Sequence, residues 1–238
     1  MLEVFAVATL TAVATALGVI PVWALGSDAV RWRPWLTGFA AGAMAIAAIV
    51  GLFLPALDRG SSAEVIGGVL AGVVFLFATR AIIGSRVGVS ASGRSAALIF
   101  AVLLVHSLPE GFAIGTAYAS KEAGLGLFVV VAIALQNIPE GTGIALPMNA
   151  RGASVARQAW VAFLSSVPQP IGACIAFVLV EQITGLLPIS FGFAGGAMLA
   201  LVFVELAPQA VRQSARQTLV GAGLGAALML TLSALLGV

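Results

Sequence analysis

The sequence predicts an all-α membrane protein: eight transmembrane helices with an inverted repeat (helices 1–3 and 6–8) around helices 4–5. Three observations predict it. The 238 residues are 61% hydrophobic and only 8% charged, with mean hydropathy +1.14, far from the composition of a globular domain in water. The apolar residues fall into runs near the ~20 residues that cross ~30 Å of hydrocarbon. One seven-residue string also occurs twice, in helix 2 and, with one change, in helix 7.

The runs lie at about 4–24, 35–57, 64–83, 95–119, 123–147, 157–180, 185–207 and 217–237. Together they fill the chain, so residues 1–238 are expected to form a single transmembrane domain. The first run has no basic segment before it and no small-residue cleavage site, which predicts a retained helix and not a removed signal. Nine of the eleven basic residues sit in alternate connections: Arg31 and Arg33, then Arg80, Arg86 and Arg94, then Arg151 and Arg157, then Arg212 and Arg216. Only Arg59 and Lys121 fall on the other side. With eight spans, this bias puts the odd-numbered connections in the cytoplasm and both termini outside the cell or in the periplasm. Although the sequence pI is near 9.3, no aromatic or glycine-arginine interleaving accompanies the basic residues, so no nucleic-acid partner is expected. The lone Cys174 excludes an internal disulfide or a thiolate cluster and is expected to pack as a small apolar residue.

The repeat is Gly38-Phe-Ala-Ala-Gly-Ala-Met44 in helix 2 against Gly192-Phe-Ala-Gly-Gly-Ala-Met198 in helix 7, with six of seven positions identical. Under the predicted topology the two helices run in opposite directions, as in carriers built from inverted repeats. Recurrence of glycine and alanine for close helix packing is the plainer alternative. The connection from Gly84 to Arg94 is rich in Gly, Ser and Arg and reads as a flexible cytoplasmic loop.

Two further strings carry the chemistry. His106-Ser-Leu-Pro-Glu110-Gly lies in helix 4 and Gln136-Asn-Ile-Pro-Glu140-Gly in helix 5. A carboxylate and a proline inside a membrane span each cost free energy, in lost hydration and in lost helix bonding, so their pairing points to function. Four-residue spacing sets His106 with Glu110, and Gln136 with Glu140, on one face of each helix. A short turn around Ser120–Gly124 makes the helices antiparallel neighbours whose faces can meet. Pro109 and Pro139 free the carbonyls of Val105 and Leu135. Two carboxylates in a medium of low dielectric repel unless a cation lies between them. No Lys or Arg occurs at that depth in helices 4 and 5, and a divalent metal held by two carboxylates, an imidazole and an amide oxygen would resolve the conflict. A structural histidine and a proton relay are the competing readings. Gln169, between Pro168 and Pro170, marks a polar break in helix 6, with Ser165 and Ser166 before it. Glu205 is either a solvated terminal residue or a relay carboxylate. Met44 and Met198 are expected to pack, and the tryptophans to anchor span ends.

The two Pro-Glu-Gly strings, the eight spans and the Gly-Ala-Met to Glu-Leu-Ala-Pro run of helix 7 together resemble the ZIP (Zrt/Irt-like) family of divalent metal transporters, in its short bacterial branch. The resemblance implies uptake of Zn²⁺, and also Fe²⁺, Mn²⁺ or Cd²⁺, across the cell (inner) membrane by a homodimer in an elevator-like motion. The metal is substrate, and no separate cofactor is implied. The implied metal site is His106, Glu110, Gln136 and Glu140. At the positions where relatives bind a second ion stand the neutral Ser107, Asn137 and Gln169, so one ion is expected. Gln136 stands where many relatives have His, which favours oxygen-preferring ions. An intramembrane metallohydrolase is disfavoured by the single His and the lack of His-Glu-x-x-His, so enzymatic activity is not expected. A proton-linked small-solute carrier without metal is the remaining alternative.

Overall fold

A computed structural model describes residues 1–86 and 106–238. The Val105 carbonyl, the first part of the predicted 95–119 span and most of the Gly84–Arg94 connection lie outside the described residues. What is described is helical almost throughout: α1 Leu2–Leu17, α2 Val19–Leu25, α3 Ala29–Ala48, α4 Leu54–Arg59, α5 Ser62–Arg86, α6 over 106–119, α7 Ala123–Asn149, α8 Val155–Ser165, α9 Pro168–Gln182, α10 Leu187–Leu201 and α11 Ala207–Leu236.

Six stretches among the described residues are long and apolar enough to cross a membrane: Leu2–Leu25, Ala29–Arg59, Ser62–Ile82, Gly124–Asn149, Val155–Gln182 and Leu187–Leu236. The first five match predicted runs to within a few residues. The sixth covers the last two runs at once. Its 50 residues would make a straight helix of about 75 Å, more than twice the ~30 Å hydrocarbon core. The backbone leaves helical geometry at Ser214 (φ −164°, ψ 102°), which divides the stretch into two lengths.

Two π-helical turns interrupt the helices, Ile49–Phe53 between α3 and α4 and Val202–Leu206 between α10 and α11. Each is followed two residues later by a proline, Pro55 or Pro208. A proline ring collides with the carbonyl four residues earlier and cannot donate to it, and a widened turn relieves that collision. Each turn follows one copy of the repeated string, after four residues in the first case and three in the second.

Glycines set how closely the helices approach. Gly38 and Gly42 of α3 lie against the backbone of Thr218 and Ala222 of α11, while Gly221 and Gly225 lie against Trp35 and Phe39. The pairing of α5 with α10 has the same form. Gly68 and Gly72 face Ile189 and Phe193, and Gly192 and Gly196 face Val65 and Val69. In both pairs residue numbers rise together, so the helices run parallel, and a methyl group at any of these positions would strike the neighbour's backbone. This is the small-residue packing that holds helices together where lipid supplies no hydrophobic drive. Two more parallel pairs hold the centre: Gly141 of α7 lies on Thr15 of α1, and Gly111 and Gly115 of α6 lie on Gln169 and Ala173 of α9.

Buried Phe128, Phe191, Met44, Leu52 and Ile114 fill the space between these pairs. Leu10, Trp23, Leu70, Trp160 and Leu219 face outward, the arrangement expected of a protein whose surroundings are hydrocarbon. At one end Arg59 pairs with Glu122 in the turn between α6 and α7. Lys121 in that turn takes a left-handed backbone (φ 62°), so the reversal occupies only a few residues.

Candidate metal-binding site

The site forms where α6 and α7 meet α9. Gln136 Nε2 donates to Glu110 Oε1 at 2.8 Å, which brings the two sequence-predicted faces together. From α9, Gln169 Nε2 donates to Glu110 Oε2 at 2.8 Å. Both oxygens of the Glu110 carboxylate therefore accept an amide proton, and such charge-assisted bonds are the strong kind. Glu110, Gln136, Asn137 and Gln169 are all essentially removed from solvent.

The break between α8 and α9 puts Gln169 there. Pro168 and Pro170 cannot continue the hydrogen-bond ladder, α8 stops at Ser165, and α9 restarts at Pro168. Ser107 repairs part of the loss, its hydroxyl donating to the Ser165 carbonyl at 3.0 Å. Thr15 and Ser166 share a hydroxyl hydrogen bond at 2.7 Å. Asn137 Nδ2 donates to the Thr11 carbonyl at 2.7 Å and to Gln169 Oε1 at 3.3 Å. Of the second-ion positions, Asn137 and Gln169 are thus engaged in a neutral amide network, and Ser107 closes a helix break.

Glu140 is placed differently. It is buried, and Oε1 has no hydrogen-bond partner. It lines a cavity together with His106, Arg33, Thr37, Glu205 and Gln209. A smaller pocket that His106 also lines is bounded by Glu110, Pro109, Met44, Met198 and Leu201. His106 thus borders both a pocket reaching Glu110 and a cavity reaching Glu140. Met44 and Met198, expected only to pack, are buried as packing residues are, and they also wall the pocket beside His106 and Glu110.

Glu205 sits on the second π turn with its side chain about a quarter exposed, its Oε2 at 3.9 Å from His106 Nε2 and 3.6 Å from Arg80 Nη1. It belongs to the cavity wall and not to a terminus in open solvent. Arg80, read from sequence only as a topology marker, is its ionic neighbour. Among the described residues no three His, Cys, Asp or Glu side chains form one cluster suited to a metal. The acceptors that lack partners come from both acids and amides: Glu140 Oε1, Gln136 Oε1 and Asn137 Oδ1. Buried acceptors without donors are rare in folded proteins and mark a place for an ion or water.

Sequence reasoning missed Thr11 and Arg80. A threonine in an apolar helix and an arginine near a span end give no local signal of partners far along the chain.

These features define a polytopic helical membrane protein with an acceptor-rich polar site enclosed between its helices. A family model described as ZIP zinc transporter matches residues 81–233. The zinc transporter GufA of Myxococcus xanthus is 33% identical over 219 residues, covering 85% of this chain and 86% of that protein. The zinc transporter ZIPB of Bordetella bronchiseptica is 32% identical over 241 residues, covering 94% and 78%. A putative zinc transporter of Arabidopsis thaliana is 33% identical over 210 residues; these cover 85% of this chain but only 34% of the plant protein. The chain belongs to the ZIP zinc transporter family.

Proposed function

We propose that this protein carries divalent transition-metal ions, zinc foremost and Fe²⁺, Mn²⁺ or Cd²⁺ as further substrates, through the cell (inner) membrane into the cytoplasm. The ion binds at one site made by His106, Glu110, Gln136 and Glu140. The observation that carries this reading is the set of buried, donor-free oxygens of Gln136 and Glu140 beside the Glu110 carboxylate. A divalent cation would satisfy these oxygens and balance the two carboxylates at once. The names of the relatives give zinc as the first substrate to test.

In this reading the chain spans the membrane eight times, counting α6 and dividing the last stretch at Ser214. Spans 1–3 and 6–8 are inverted copies flanking α6 and α7. The shared string, the π turn that follows each copy and the two glycine-packed parallel pairs support the repeat. Both termini lie outside by the positive-inside rule, so the cavity containing Arg33, Glu205 and Gln209 opens toward the cytoplasm and serves as the exit. A homodimer with an elevator-like motion follows from the family resemblance. No enzymatic step is part of this function.

The test is uptake into reconstituted vesicles of defined orientation. Wild-type protein should accumulate zinc, and Glu110→Ala and Glu140→Ala should each reduce accumulation to the level of empty vesicles. Proton flux without metal uptake in the wild type would instead favour a proton-linked carrier, and unchanged uptake in both variants would refute the site.

A further inference from the structure

The two amides that hold Glu110 are not equivalent. Gln169 is fixed at both ends: its Oε1 accepts from Thr11 Oγ1 at 3.0 Å and from Asn137 Nδ2 at 3.3 Å, while Nε2 donates to Glu110 Oε2. The Thr11 hydroxyl has one proton, shared with the Ala8 carbonyl at 2.8 Å. Asn137 has two amide protons, one for Gln169 and one for the Thr11 carbonyl. Reversing the Gln169 amide would set its NH₂ against the Asn137 amide donor and its oxygen against the Glu110 carboxylate, so its orientation is determined. Gln136 has no such anchor. Its one side-chain bond is to Glu110 Oε1, and its own Oε1 is buried without a partner.

We infer that Gln169 is a positioning residue of the metal site, pinning Glu110 Oε2 so that only Oε1 is offered to an incoming divalent cation, while Gln136 gives way. The inference rests on the metal-carrying function proposed above. When the ion arrives, Glu110 Oε1 exchanges an amide proton for the metal. Gln136, tied nowhere else, turns its vacant oxygen to the same ion. A carboxylate restricted to one oxygen suits Zn²⁺, which prefers four ligands. It disfavours Mn²⁺, which prefers oxygen donors in a six-coordinate shell, where a chelating carboxylate helps. Selectivity thus depends on a residue that never touches the metal, in the manner of hydrogen bonds that orient ligands at other metal sites.

The experiment measures zinc and manganese uptake in vesicles for wild type, Gln169→Met, Thr11→Val and Thr11→Ser, recording KM and maximal rate for each ion. Gln169→Met keeps length and removes the donor. It should raise KM for zinc by roughly tenfold or more and lower the zinc-over-manganese preference. Thr11→Val, remote from the metal, should move the preference the same way by less, because Asn137 still holds Gln169. Thr11→Ser keeps the hydroxyl and should restore it. An unchanged preference in Thr11→Val and in folded Gln169→Met, or an equal loss of maximal rate for both ions with KM unaltered, overturns the positioning role. If Gln169→Met does not give a monodisperse protein, Thr11→Val decides alone. Wild-type vesicles that accumulate neither ion would overturn the proposed function itself, a separate result.

Discussion

Glu110 and Glu140 end almost the same string of residues on adjacent helices, yet their surroundings are opposite. Glu110 has an amide proton on each oxygen, one from Gln136 and one from Gln169. Glu140 has a buried Oε1 with no donor and faces a cavity shared with His106 and Glu205. The difference comes from α9, which reaches Glu110 through the break at Pro168 and supplies nothing comparable to Glu140. A filled acceptor is stable without an ion and must exchange bonds to take one. An open acceptor gains a partner outright when a cation arrives. Under the proposed function, two copies of one motif would divide the work, Glu140 meeting the cavity and Glu110 holding the ion at depth.

The largest effect expected from this contrast is on transport. Glu140→Gln removes the charge from the open acceptor, and zinc uptake in vesicles should fall to background. A variant retaining more than a tenth of wild-type uptake would show that the open carboxylate is dispensable.

The next effect separates the two glutamates by stability. In metal-free, chelator-treated protein, Glu110→Gln sets a third amide against two donors, so one N–H loses its acceptor. A buried unsatisfied donor costs about 1–3 kcal/mol, which should appear as a lower unfolding midpoint in detergent. Glu140→Gln breaks no hydrogen bond seen in the structure, and its midpoint should stay at or above wild type. Equal losses in both variants would erase the distinction between filled and open acceptors.

A smaller change tests the mobile amide. Gln136→His supplies a nitrogen donor at the position whose oxygen has no partner. Nitrogen ligands suit zinc better than manganese. The zinc-over-manganese preference in competitive uptake should rise on the order of tenfold, or about 1.4 kcal/mol. An unchanged preference would mean that position 136 does not face the ion.

Much of this arrangement is legible in the sequence, because its costs are local. A proline and a glutamate in an apolar run announce themselves, as does Gln169 between two prolines, and the apolar runs themselves gave the bounds of five described spans to within about six residues. The role of Gln169 was not legible, since neutral substitution at one position does not reveal that Thr11 and Asn137 orient it. The π turns had a trace in Pro55 and Pro208, each placed where a regular helix would collide with its own carbonyl. Glu205 and Arg80 stayed ambiguous because an ion pair between α5 and the second π turn depends on tertiary packing that no local pattern encodes.

That ion pair carries the smallest prediction. Arg80 Nη1 stands 3.6 Å from Glu205 Oε2, too far for a hydrogen bond, and both side chains are partly exposed although these two atoms are buried, so the pair is worth roughly 0.2–1 kcal/mol. Arg80→Gln should therefore shift the unfolding midpoint only slightly, and the wild-type midpoint should fall with added salt by more than that of the variant. Zinc uptake should persist, because the ionic neighbour of Arg80 is Glu205 and not one of the four proposed ligands. If Arg80→Gln abolished uptake while leaving the midpoint unchanged, the open side of the site would extend through Glu205 to Arg80. The contrast between the glutamates would then concern two whole walls of the cavity, not two side chains.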